Sequence, residues 1–173
     1  MQAPHRSSRI LLPVRMGWVW LSLIVALTLN FVPVPQIPGI PDFVALVLAF
    51  WCVREPLRVS MGAAFVLGVL TDIGHGSAMG QHALAYVLLA FTCGAMARRL
   101  LWFPPAAQAL QMVPIFLMTQ VVMLIVRLIA GADFPGWDYF FSAFTTSLLW
   151  FPIHYILLLP QMQPIEHDEN RPL

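Results

Sequence analysis

Charge is what this sequence has least of. Asp, Glu, Lys and Arg together make up only 10% of its 173 residues, while 60% are hydrophobic. An ordinary soluble domain carries about 25% charged residues. A soluble fold this short must still cover itself with polar side chains, and this chain has too few, so its apolar surface must face lipid. Lysine is absent, and all nine basic residues are arginine. With a formal net charge of +1, no basic face exists to neutralise phosphates, which excludes a nucleic-acid partner. Cysteine is scarce as well. Cys52 and Cys93 lie inside apolar runs without C-x-x-C spacing, so neither a disulfide framework nor a zinc site is expected. Both read as small buried hydrophobes. H-E-x-x-H and Walker loops are missing. Ser77, with His82 and His154, offers a nucleophile and bases in name only. The G-x-S-x-G elbow is broken because Met79 stands two residues after Ser77. No catalytic residue, cofactor or metal is expected.

What is present is a series of apolar runs divided by proline, glycine and arginine. A polar, basic tail covers residues 1–15, a single transmembrane domain residues 16–160, and a polar tail residues 161–173. The first span is placed at 16–34. It is too long for a signal-peptide core, and Pro33, Pro35, Pro38 and Pro41 follow it where a cleavage site of small residues would stand, so it reads as retained. The next spans are placed at 43–53, 59–73, 82–97, 106–130 and 139–159, with Pro114 and Pro152 inside the last two. The second, third and fourth are shorter than the roughly 20 residues of a plain transmembrane helix. The glycine-rich loop at residues 74–81 therefore reads as a buried feature rather than a free surface loop.

Six spans bring both ends to one side. On that side lie Arg6, Arg9, Arg15, Arg54, Arg58, Arg98, Arg99 and Arg171, while the opposite loops hold no arginine. The positive-inside rule makes the arginine-rich side cytoplasmic.

Charged groups within spans face the bundle interior and mark function or structure. Asp42 directly follows Pro41 at the start of the second span and reads as its N-cap. Asp72 ends the third span and Arg127 lies late in the fifth, at similar depth. Two structural readings stand open: a direct or water-bridged pair, or an Asp72 capped separately with Arg127 reaching to the interface. A ligand or proton-relay role is a third. Ser60, Ala64, Gly68 and Asp72 are spaced by four, with Gly76 and Gly80 continuing the count. Positions four apart share a helix face, and small residues there let helices approach closely. Asp72 is thus expected on a packing face. The packing partner is a second protein's helix or a span of the same chain. The hydroxyls of Ser142, Thr145, Thr146 and Ser147 and the lone His154 read as packing groups, and Gln120 is expected to share a face with Arg127.

These motifs resemble the MreD family. Pro41-Asp42-Phe43 opens a short helix, which ends in Phe50-Trp51 with Pro56 following. Next come Gly68, Asp72, Gly76 and Gly80 in a Gly-x-x-x-Asp-x-x-x-Gly-x-x-x-Gly pattern, then Ala83. The resemblance implies an all-α six-helix membrane protein of the bacterial cell-elongation machinery. It implies association with MreC and, through the complex, with MreB, RodA and the elongation transpeptidase, and no catalysis. The family is also similar to the S components of energy-coupling-factor vitamin transporters. The alternative is therefore a module that binds a small molecule or lipid. Such a module needs convergent polar groups at its outer end, where the sequence offers Asp72, Arg127, His75, Gln81 and Trp137.

Overall fold

A computed structural model describes residues 14–32 and 39–161. Both tails and the proline-rich segment around Pro35 and Pro38 lie outside the described residues, as do Arg6, Arg9 and Arg171. The described chain is all helical: α1 (Met16–Asn30), α2 (Phe43–Arg54), α3 (Met61–His75), α4 (Gln81–Leu101), α5 (Pro105–Ile129) and α6 (Phe141–Leu158). A 3-10 turn, Trp137–Phe140, leads into α6, and another, Leu159–Gln161, follows it.

The helix boundaries depart from the sequence expectation in an instructive way. The first helix stops at Asn30, before the prolines begin. The fourth is not short: it runs for 21 residues, through Arg98 and Arg99 to Leu101. By length and composition three helical segments are able to cross a membrane, those at 81–101, 105–129 and 137–161, while α1, α2 and α3 are shorter apolar helices. At ~1.5 Å per residue, the 12 residues of α2 span only about 18 Å.

The shortness of α2 is tolerated because α2 is the centre of the bundle. Every residue from Val44 to Val53 is buried. A helix that is apolar all round belongs inside a larger body, and α2 packs against α1, α4 and α6. The pairs α3–α4, α4–α5 and α5–α6 complete the enclosure. Large apolar side chains then point outward on every other helix, including Ile24, Phe65, Phe91, Leu110 and Leu148. A soluble monomer rarely exposes so much contiguous apolar surface, whereas a lipid-facing belt requires it.

Tryptophan N–H groups tie the helices together where no water is at hand. Trp51, fully buried, donates to Ser22 Oγ of α1 at 2.8 Å. Trp18 donates to the Leu157 carbonyl at 3.1 Å and Trp150 to Gln108 Oε1 at 3.2 Å. A buried indole N–H needs a partner, and each of these partners lies on a different helix. The hydroxyls of α6 serve the same end. Thr145 donates to the Gly39 carbonyl at 2.6 Å and Ser147 to the Ala109 carbonyl.

Candidate functional site

Two aspartates organise the end of the bundle opposite the exposed arginines. Asp42 is the N-cap of α2, with its Oδ1 accepting from the Ala45 N–H at 2.9 Å. It does more than cap. Asn30 Nδ2 at the end of α1 donates to Oδ1 at 3.0 Å, and the Tyr86 hydroxyl of α4 donates to Oδ2 at 2.8 Å. The Asp42 N–H donates to Thr146 Oγ1 of α6 at 3.0 Å, and the Phe43 N–H to Asn30 Oδ1 at 3.0 Å. Four helices thus meet at one residue.

Asp72 performs a different task. Helix α4 begins after Gly80, which has no side chain to accept from the free N–H groups of its first turn. Asp72, from the preceding helix, supplies the acceptors. Its Oδ2 takes the N–H of Gly80 at 2.9 Å and of Ala83 at 3.3 Å, and its Oδ1 takes the N–H of His82 at 2.9 Å. Ser77 Oγ at 2.9 Å and His82 Nδ1 at 2.7 Å complete the shell. The residue is 1% exposed. Of the two structural readings open for Asp72, the separately capped one matches this geometry, and the pair with Arg127 does not form. Arg127 Nε instead donates to the Asp133 carbonyl in its own following loop, at 3.2 Å.

The glycines around Asp72 explain the spacing of four. Gly76 ends α3 with φ +61° and Gly80 precedes α4 with φ +96°, conformations that side chains with a Cβ adopt only at a cost. A Cβ on Gly68 would stand 2.3 Å from Ala83 Cα. The small stripe is therefore the seat of α4 on α3. Ala64, Gly68 and Asp72 are buried within this chain, while Ser60 at the start of the row is exposed. Of the two packing partners open for that row, a span of the same chain matches this geometry. Pro56 is exposed in the turn after α2, with its Cβ 4.0 Å from where a side chain on Gly94 would begin.

Ser77, His82 and Asp72 do come together, yet not as a nucleophile with its base. The serine hydroxyl donates to the carboxylate, and the imidazole nitrogen nearest it, at 3.4 Å, is the one that donates to Asp72. No base is left to take a proton from Ser77. His154 lies at the other end, with Nε2 3.2 Å from Arg54 Nη2.

Between the Asp42 and Asp72 clusters lies a cavity of about 400 Å³, lined by residues of all six helices and the segments that join them. Its polar wall includes Asn30, Asp42, His75, His82, Gln120 and Thr146. Of the five polar residues that the sequence offers at this end, only His75 lines the wall; Asp72, Gln81, Arg127 and Trp137 do not, whereas Asn30, Thr119, Gln120 and Ser142 do. These four lie on α1, α5 and α6, and no local pattern in the sequence joins the three helices. Gln120 is 7% exposed, and its Oε1 has no hydrogen-bond partner among the described residues. No group of three or more metal-ligating side chains occurs among the described residues.

The family described as rod shape-determining protein MreD matches this chain over residues 8–160. The rod shape-determining protein MreD of Haemophilus influenzae is 30% identical over 114 residues, covering 64% of this chain and 68% of that relative. No solved structure matches.

Proposed function

The chain belongs to the MreD family of rod shape-determining proteins, and we propose that it acts as a non-catalytic scaffold of the cell-elongation machinery in the bacterial inner membrane. The observation that carries this reading is the use made of its chemistry-bearing side chains. Asp42 and Asp72 are engaged in joining and capping helices, and Ser77 has no base. A bundle fixed in this way presents a stiff, lipid-facing apolar surface on which another membrane helix is able to pack through close contacts and polar groups. In this reading the partner is MreC, through which MreB, RodA and the elongation transpeptidase are joined, and both termini are cytoplasmic.

Photo-crosslinking in cells tests the proposal. Crosslinkers at the exposed positions Phe65, Leu110 and Leu148 sample three sides of the bundle. At least one is expected to capture MreC or another elongation protein, while a crosslinker at the buried Ala64 is expected to stay within the chain. Capture of lipid alone from all three would remove the scaffold reading. The cavity favours a second, compatible reading: a module that holds a small molecule or lipid at the outer end.

A further inference from the structure

We infer that the outer cavity binds an amphipathic amine, a molecule with an ammonium group on a compact apolar body. The inference rests on the second reading above and names its ligand class. A volume of about 400 Å³ falls within the range of small-molecule sites, about 300–1,000 Å³.

The hydrogen-bonding character of the wall sets the class. Asp42 is a carboxylate with no cationic partner among the described residues, where the salt bridges are Arg58–Glu55 and His82–Asp72. Its Oδ1 is filled by Asn30, Ala45 and Tyr86, but Oδ2 accepts from Tyr86 alone. A carboxylate oxygen has two lone pairs, so Oδ2 has capacity for one more donor. The two histidines of the wall spend one ring nitrogen each inside the protein, His82 Nδ1 on the Asp72 carboxylate and His75 Nε2 on the Asn30 carbonyl at 3.1 Å. Gln120 Oε1 is a further acceptor with nothing to accept. In a dry site an unpartnered polar atom is costly, and a donor on an occupant of the cavity that Gln120 lines would relieve it.

Among the described residues no arginine lines the wall. The Thr119 hydroxyl is spent on the Ile115 carbonyl and that of Thr146 on the Ser142 carbonyl. A carboxylate or phosphate would thus meet Asp42 with no cation to hold it. An ammonium group meets a counter-charge, and Leu29, Phe31, Phe116 and Met123 enclose its apolar part. The donor could belong to a free amine or to the amino headgroup of a lipid.

The test uses the full chain in phosphatidylcholine nanodiscs, because that lipid's headgroup has no N–H. Equilibrium dialysis compares phenethylamine with phenylacetate, its carboxylate counterpart of similar size. Phenethylamine should bind saturably, one per chain, and phenylacetate should not. Gln120→Leu should weaken amine binding about tenfold, the loss of one buried hydrogen bond. The melting temperature of the ligand-free variant should hold or rise, since an unsatisfied amide has been removed. Gln120→Glu, which offers only acceptors, should bind the amine more tightly than the parent chain. If phosphatidylethanolamine in the discs displaces the amine from the parent chain, the natural donor is a lipid headgroup; if it does not, a free amine is. Preferential binding of phenylacetate would overturn the ligand class and leave the cavity reading standing. Absence of saturable binding by either probe, together with no effect of phosphatidylethanolamine on melting, would overturn both. A Gln120→Leu chain that fails to fold, with Gln120→Glu no tighter than the parent, would assign Gln120 to the fold and overturn the inference.

Discussion

Asp72 shows how much one carboxylate does when it caps a helix other than its own. Asp72→Ala leaves the N–H groups of Gly80, His82 and Ala83 without their acceptor inside the bundle. At about 1–3 kcal/mol for each stranded donor, thermal unfolding of the purified protein should show a loss on the order of 3 kcal/mol or more. Asp72→Asn retains one acceptor oxygen and should fall between. Arg127→Ala should change stability by less than about 0.5 kcal/mol, since it loses only a loop contact at the surface. An equal loss at both positions would restore the ion pair that the geometry lacks. The sequence did place Asp72 on a packing face, because its spacing from Ala64 and Gly68 is helical. What it could not supply was the partner. The match in depth between Asp72 and Arg127 was a one-dimensional coincidence, while the true partners were the backbone donors of a helix preceded by a glycine. That signal was legible: an α4 start with no capping side chain next to it, and a buried acceptor eight residues earlier.

At the scale of the element, the α3–α4 hairpin is the spacing of four made physical. Gly68 lets the helices touch, Asp72 caps the second, and Gly76 and Gly80 turn the chain. Two glycine substitutions separate these roles. Gly68→Ala places its Cβ 2.3 Å from the Ala83 backbone, and overpacking of a core costs about 1–3 kcal/mol; the seat of α4 must shift. For Gly74→Ala the three nearest atoms all belong to the ring of Phe31, the closest at 2.1 Å, a half-exposed side chain at the end of α1 that gives more easily than backbone. Melting curves should therefore show a clear loss for Gly68→Ala and a small one for Gly74→Ala. A reversed order would mean that the α1 end, and not the α3–α4 contact, is the rigid part. Helices α5 and α6 were legible as apolar runs only. Their contribution to the cavity, through Thr119, Gln120, Ser142 and Thr146, needed the tertiary arrangement, because residues 22 to 27 positions apart become neighbours only once the helices pack.

For the whole molecule, the arginines Arg15, Arg54, Arg58, Arg98 and Arg99 lie at the helix ends away from the cavity, and Arg58 donates to the Val14 carbonyl at 2.9 Å across that end. Reporter fusions active only outside the cytoplasm should score positive at Ser77 and Gly136 and negative after Arg54 and Arg99. A cytoplasmic signal at Ser77 would invert or break the six-helix topology. A third outer loop, near Pro38, is expected from the sequence and lies outside the described residues. The buried position of α2 also has a consequence in time. Its cap, Asp42, has Asn30 and Ala45 at hand as soon as α2 is made, but Tyr86 and Thr146 come 44 and 104 residues later in the chain. During synthesis the middle of this protein is therefore finished last. A ribosome that has released α1 to α5 has left Asp42 short of its final helix, and only the arrival of α6 closes the wall around it. An interruption late in translation would strand a nearly full-length chain with its core open to lipid, a form that membrane quality control is well placed to distinguish from the completed one.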